Sequence, residues 1–362
     1  MASNATNIFE SDRAAQGSHS GKALFILFIV FQLIGLSGSI LMLVTACVSK
    51  RVHRHWCWMS FVFSWIISCV SYSFLAGASI DWQPEFPLCL TQAALIYTVP
   101  TLTASTSLAL IIQVLISIRA CYTILNAGTT SNNNGLKLHR LWTFLMISLP
   151  YLLATALFTI SLVIGLRDRA TVVRRPGNYY CDMLHKLPRD LSAIIVTVIM
   201  GICLCLGITL CVILSRNWSA LSCDAHAPLT SVLRVLCFSA VSLVAVALAL
   251  LFYFSPHASN GPGLSISLSP IPVAAVLIFG SQTDLVRAWH TGIQACFHSL
   301  RSGFKTLFNS TTESSEDGSE RQHRSQLGRP RCGPLCIGSH HLCNHSHSSQ
   351  DTMISSETFA LA

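Results

Sequence analysis

The chain has 362 residues, 52 % of them hydrophobic and 10 % charged, with a formal net charge of +8 at neutral pH. Soluble domains carry roughly 25 % charged residues, so this composition excludes a pair of ordinary soluble domains. The positive charge is scattered rather than gathered into one stripe, which argues against nucleic acid as a partner and for membrane topology.

Seven apolar runs of 20 or more residues follow one another, at about 24–48, 57–78, 90–118, 141–166, 190–214, 231–254 and 264–283. At 1.5 Å rise per residue each reaches across a hydrocarbon core of ~30 Å. The expected fold is an all-α membrane protein, a seven-transmembrane helix bundle inserted in the lipid bilayer. Residues 1–23 form an extracellular segment, 24–283 the bundle, 284–308 an amphipathic juxtamembrane helix and 309–362 a disordered cytoplasmic tail.

Some 20 polar residues precede the first run, which therefore reads as a signal anchor rather than a cleaved leader. Lys22 alone borders it on one side, whereas Lys50, Arg51 and Arg54 follow it, so the N-terminus is expected outside and the C-terminus in the cytoplasm. The loop holding Arg167, Arg169, Arg174, Arg175, Lys186 and Arg189 opposes that rule, but the other outer segments are nearly free of Lys and Arg. With this orientation, at the plasma membrane, the sequon at Asn4 would be glycosylated and those at Asn217, Asn309 and Asn344 would stay bare.

In the first run, Gly35, Ser37, Gly38 and Ser39 form a small-residue patch, suited to close helix packing unless it merely faces lipid. The basic loop SKRVHRHW then serves as an anchor at phosphate headgroups or as a contact for an inner partner. Trp82, in the next loop, fits an interfacial belt or a position over a ligand.

The third run is the expected central helix. Thr98, Thr101, Thr103, Ser105, Thr106 and Ser107 give it hydroxyls that a lipid-facing helix does not need. Pro100 should kink it, and Gln92, Tyr97, Thr98 and Thr101 around the kink either line a ligand pocket or hold helices together. Gln113, deeper in, is expected to pair with another helix.

Of fifteen cysteines, Cys47, Cys57, Cys69, Cys203, Cys205, Cys211 and Cys237 lie in or beside spans, where a thiol is a small apolar group. Cys89 and Cys181 fall on the outer, oxidising face. A bond between them would tie the loop after the fourth run to the third helix; two unrelated thiols are the alternative. Tyr179 and Tyr180, beside Cys181, join the ligand-contact candidates.

Pro270 and Pro272 interrupt the seventh run as a hinge or a static kink. Beyond it, Leu285, Trp289, Ile293, Phe297, Leu300, Phe304 and Leu307 make a helical apolar stripe, with Cys296 as an acylation candidate. The tail that follows is rich in Ser, Thr and His. Its Cys332, Cys336 and Cys343 match no common zinc finger, so acylation or a plain solvated tail is preferred to a metal site.

The spans carry Asp190, Asp284 and Arg234 only at their ends and no Asp, Glu, Lys, Arg or His in their interiors. There is no lysine for retinal, no carboxylate pair, no phosphate loop and no nucleophile motif. An enzyme is therefore not expected, and neither is a cofactor.

Taken together, FPLCLTQAALIYTVPTLTASTSLAL, LPYLL, YYC, SRNW and IFGSQTDLVRAW resemble the receptor-like seven-span proteins of basidiomycete fungi, over roughly residues 24–290. The resemblance implies a G-protein-coupled-receptor-like bundle that senses an extracellular or lipophilic ligand and signals to a heterotrimeric G protein. Inner contacts would then be Arg51, Arg54, Arg119, Arg216, Arg234 and Arg287. Ser117-Ile118-Arg119-Ala120 and SPIPVAAVLIF stand where rhodopsin-type receptors have Asp-Arg-Tyr and Asn-Pro-x-x-Tyr, and fungal pheromone receptors also lack both motifs. Charge-free spans equally permit a transporter or channel for a neutral solute, and a membrane scaffold is the third reading.

Overall fold

The computed structural model describes residues 3–49, 54–75, 84–127, 133–174, 180–216, 226–254 and 263–292, with 294, 297 and 301. Its elements are α1 (Ser3–Val48), α2 (Trp56–Ser73), α3 (Phe86–Ala127), α4 (Asn133–Arg167), β1 (Val172–Val173), β2 (Asp182–Met183), α5 (Lys186–Arg216), α6 (His226–Phe254), α7 (Gly263–Leu268) and α8 (Ile271–Gly280). A further helix, α9, runs Thr283–Gly292. Met1–Trp289 belongs to one compact unit; His290–Phe359 makes a second, in which residues 290–292, 294, 297 and 301 are described as helical.

Six helices are long and apolar enough to cross a membrane, and a seventh joins them if the bent pair Ile266–Gly280 and Thr283–Gly292 is one span. That pair turns by 85°, so the segment before the bend and the segment after it cannot share one direction across a bilayer. Pro270 caps the start of α8, and the turn at Ser269 separates it from α7, because a proline cannot continue the hydrogen-bond ladder of the preceding turn. Helix α1 reaches back to Ser3, so most of the polar N-terminal segment is helical.

Burial sorts the helices. In α3, 67 % of the membrane-length window is buried, against 22 % in α1, α4 and α6. Helix α3 packs on α2, α4 and α5 and touches α6, while α8 closes the bundle between α1 and α6. The outward residues of the peripheral helices are apolar: Ile26, Leu33 and Val44 on α1, Leu145 and Leu152 on α4, Val198 and Ile208 on α5, Val244 and Leu251 on α6. Such a surface is at home in hydrocarbon, not in water.

Hydroxyls hold the interior. Ser64 on α2 and Thr106 on α3 bond each other at 2.9 Å. Most other Ser and Thr hydroxyls bond their own helix, as Thr98 does to the Ala94 carbonyl and Ser105 to that of Thr101. Gly35 and Gly38 are needed where α1 meets α8: an added Cβ would lie 2.5 Å from Pro272 Cβ and 2.5 Å from Val276 Cγ1. Gly35, Gly38 and Ser39 of the sequence patch thus belong to a packing face, while Ser37 is exposed.

Candidate functional site

Cys89 and Cys181 are joined in a disulfide, with Cα atoms 5.3 Å apart. This places the segment after α4 on the N-terminal tip of α3. The segment folds as a two-stranded antiparallel hairpin, Val172 opposite Met183 and Val173 opposite Asp182. Strands of two residues leave no alternation to read in a sequence, and the hairpin was not among the expected elements.

Gln92 lies one turn below Cys89. Its side-chain carbonyl accepts the backbone N–H of Cys181 at 3.1 Å and its amide reaches the Ser71 carbonyl on α2 at 3.4 Å. The Tyr97 hydroxyl donates to the Asp182 carboxylate and accepts the Met183 backbone N–H at 3.3 Å. Ser192, at the start of α5, donates to the Tyr97 carbonyl at 2.6 Å. One stretch of α3 therefore holds α2, the hairpin and α5 at once. Below the bonds, Leu75, Leu90, Ala93, Ala94, Val172 and Met183 form an apolar seat. Gly165 on α4 leaves the room: its Cβ would fall 2.3 Å from the Leu90 Cδ1 and 3.2 Å from Val172. Above, the Tyr180 ring meets Tyr72 edge-on at 6.0 Å, and Tyr72 meets Phe28 at 6.1 Å.

Of the six ligand-contact candidates, Gln92, Tyr97, Thr98 and Thr101 are buried together on α3. Three of them have hydrogen-bond partners within the protein. Thr101 is the exception, its fully buried hydroxyl having no partner. Tyr180 packs edge-on against Tyr72 of α2, and Tyr179 lies outside the described residues. Ser71, Asp182 and Ser192 also build this end and were not anticipated; the carboxylate beside Cys181 was the one available signal.

At the opposite end of α3 the arginines separate into two groups. Arg54 makes a 3.4 Å ion pair with Asp284 and lies 5.7 Å from the centre of the Trp58 ring. Burial holds its guanidinium below the ordinary arginine value; Asp284 raises it and Arg234 lowers it further. Arg234 donates to the Ser281 carbonyl at 3.0 Å. These two side chains fasten the starts of α2 and α6 to the elbow between α8 and α9. Arg119, Arg216 and Arg287 are exposed at this end, while Arg51 lies outside the described residues. Trp289 donates to Thr45 at 2.8 Å and so adds the end of α1.

Directly above the elbow, Phe61, Trp65, Phe238 and Phe279 pack with ring centroids 5.0–6.2 Å apart. This cluster joins α2, α6 and α8, and it too escaped the sequence reading. Among the described residues no group of His, Cys, Asp or Glu is arranged to hold a metal. Asn4 lies in the first turns of α1, while Cys296 and the cysteines of the tail lie outside the described residues. The chain matches no protein-family model and no curated protein.

Proposed function

We propose that the chain is a seven-span receptor of the G-protein-coupled type. Gly263–Gly280 supplies the seventh crossing, α9 lies along the inner leaflet, and the disulfide-tied hairpin faces outward under a glycosylated N-terminus at the plasma membrane. The observation that carries this reading is the dual attachment of α3. Its first turns hold the hairpin through Cys89, Gln92 and Tyr97, and the same helix continues to the arginine end at Arg119. A ligand that alters how the hairpin sits on α3 thereby acts on a rigid element that ends at the inner surface.

Within the buried candidates, Thr101 offers the polar group to a ligand, because its hydroxyl has no protein partner and it directly follows Pro100. On the inner side Arg119, Arg216 and Arg287 are the exposed cations for a heterotrimeric G protein, and Arg54 and Arg234 hold the elbow instead. The likeness to basidiomycete receptor-like proteins supports the same assignment.

Co-purification from membranes tests it. A Gα subunit is expected to accompany the chain and to leave when guanine nucleotide is added. Absence of any Gα in the purified material, or an association indifferent to nucleotide, overturns the coupling. Solute flux into proteoliposomes carrying the purified chain would replace the receptor reading with transport.

A further inference from the structure

A groove of about 270 Å³ opens on the outside of the bundle between α1, α2 and α4, toward the arginine end. Leu43 forms one wall, Ile147 and Tyr151 the other, and Trp56, Met59, Ser60 and Phe63 the floor and mouth. It exists because α2 is set back: half of its membrane-length window is buried, against 22 % in its neighbours α1 and α4. The rims carry outward apolar side chains, Val44 on α1 and Leu145, Leu149 and Leu152 on α4, so the surrounding medium is hydrocarbon.

We infer that this groove is a seat for one acyl chain of a membrane phospholipid. The inference rests on the helices crossing a bilayer and is independent of any signalling role. Its chemistry separates an acyl chain from a sterol. The two hydroxyls at the groove, Ser60 and Tyr151, bond each other at 3.1 Å, and Tyr151 also reaches the Ser60 carbonyl at 3.4 Å. Both hydroxyl protons are spent on this pair and the wall of the groove presents only apolar atoms, so a sterol hydroxyl brought to that depth would be left without a partner. A flexible chain adapts to the uneven wall made by Met59, Leu43 and Ile147, and gains contact on three sides where bulk lipid offers looser packing. Trp56, 68 % exposed at the mouth, marks the level at which the chain emerges toward the interface.

The full chain in phosphatidylcholine nanodiscs, doped with phosphatidylcholine brominated on one acyl chain, provides the test. Bromine quenches tryptophan on contact, and the contribution of Trp56 is the difference between wild type and Trp56→Phe. Trp142, on the open face of α4, gives the reference for bulk lipid through Trp142→Phe. Trp56 is expected to be quenched at a several-fold lower fraction of brominated lipid than Trp142. The doubly filled variant Leu43→Phe with Ile147→Phe, with helix content and the disulfide unchanged, should bring the two curves together. Coincident curves in wild type overturn the seat. Relief of Trp56 quenching by added sterol overturns the choice of an acyl chain. Sterol without effect supports it.

Discussion

The two ends of the bundle are built on opposite principles. The hairpin end is covalent and buried: a disulfide, then Gln92 and Tyr97 satisfying backbone and carboxylate groups of one short hairpin. Among the described residues the arginine end shows an ion pair whose carboxylate is 59 % exposed, an arginine-to-carbonyl bond, the bond from Trp289 to Thr45 and a cluster of rings. Exposed pairs contribute about 0–1 kcal/mol, whereas an orphaned buried group costs about 1–3 kcal/mol. One end is made to hold its shape and the other can be rearranged by contacts of ordinary strength.

Substitutions graded by expected effect probe that contrast. Replacing Cys89, Cys181 or both by Ala removes the same bond. All three variants should lose the same stability, up to about 4 kcal/mol for a closed loop of this length and less because the membrane already restrains the chain. Thermal unfolding in detergent measures it, and unequal losses would mean that the thiols also act separately. Phe61→Ala, at the centre of the ring cluster, is expected to cost about 2–4 kcal/mol through the cavity it leaves and the edge-on contacts it removes. A loss as large as that of the disulfide would show that the rings, not the charges, secure the arginine end.

Tyr97→Phe keeps the ring and strips the hydroxyl that serves Asp182 and Met183, with an expected loss of about 1–3 kcal/mol. Faster proteolysis within residues 172–183 is the accompanying readout, since the disulfide, the Gln92 bond to Cys181 and the apolar seat would hold the hairpin without the tyrosine. Asp284→Asn should change stability by about 1 kcal/mol or less, with a difference from wild type that shrinks as salt is raised. If Asp284→Asn cost more than Tyr97→Phe, the contrast between the ends would be reversed.

Much of this architecture is written in the sequence, and what is missing from it has physical reasons. Apolar length marks the crossings because the bilayer imposes a minimum on each, and the hydroxyl-rich run identified α3 as the buried one. Cys89 and Cys181 stood out because no other thiols fell on the expected outer face, and the structure joins them. The partners of Gln92 and Tyr97 could not be read the same way. A buried amide or phenol is equally suited to a ligand and to a backbone, and only the hairpin's position decides for the backbone. Arg54 and Asp284 are 230 residues apart, and no local pattern links them. The ring cluster draws on three helices, each of which presents one or two aromatics that look like ordinary lipid-facing residues in isolation.

The missing side chains at Gly35 and Gly38 let the first helix lie against α8 closely enough to touch Pro272 and Val276. A polypeptide severed in the stretch 255–262 would leave α7 and α8 on a short fragment whose complementary surface is carried by the opposite terminus of the larger piece. Two such halves, synthesised separately in one membrane, have a matched seam through which to find each other. A bulky residue at either glycine would keep them strangers.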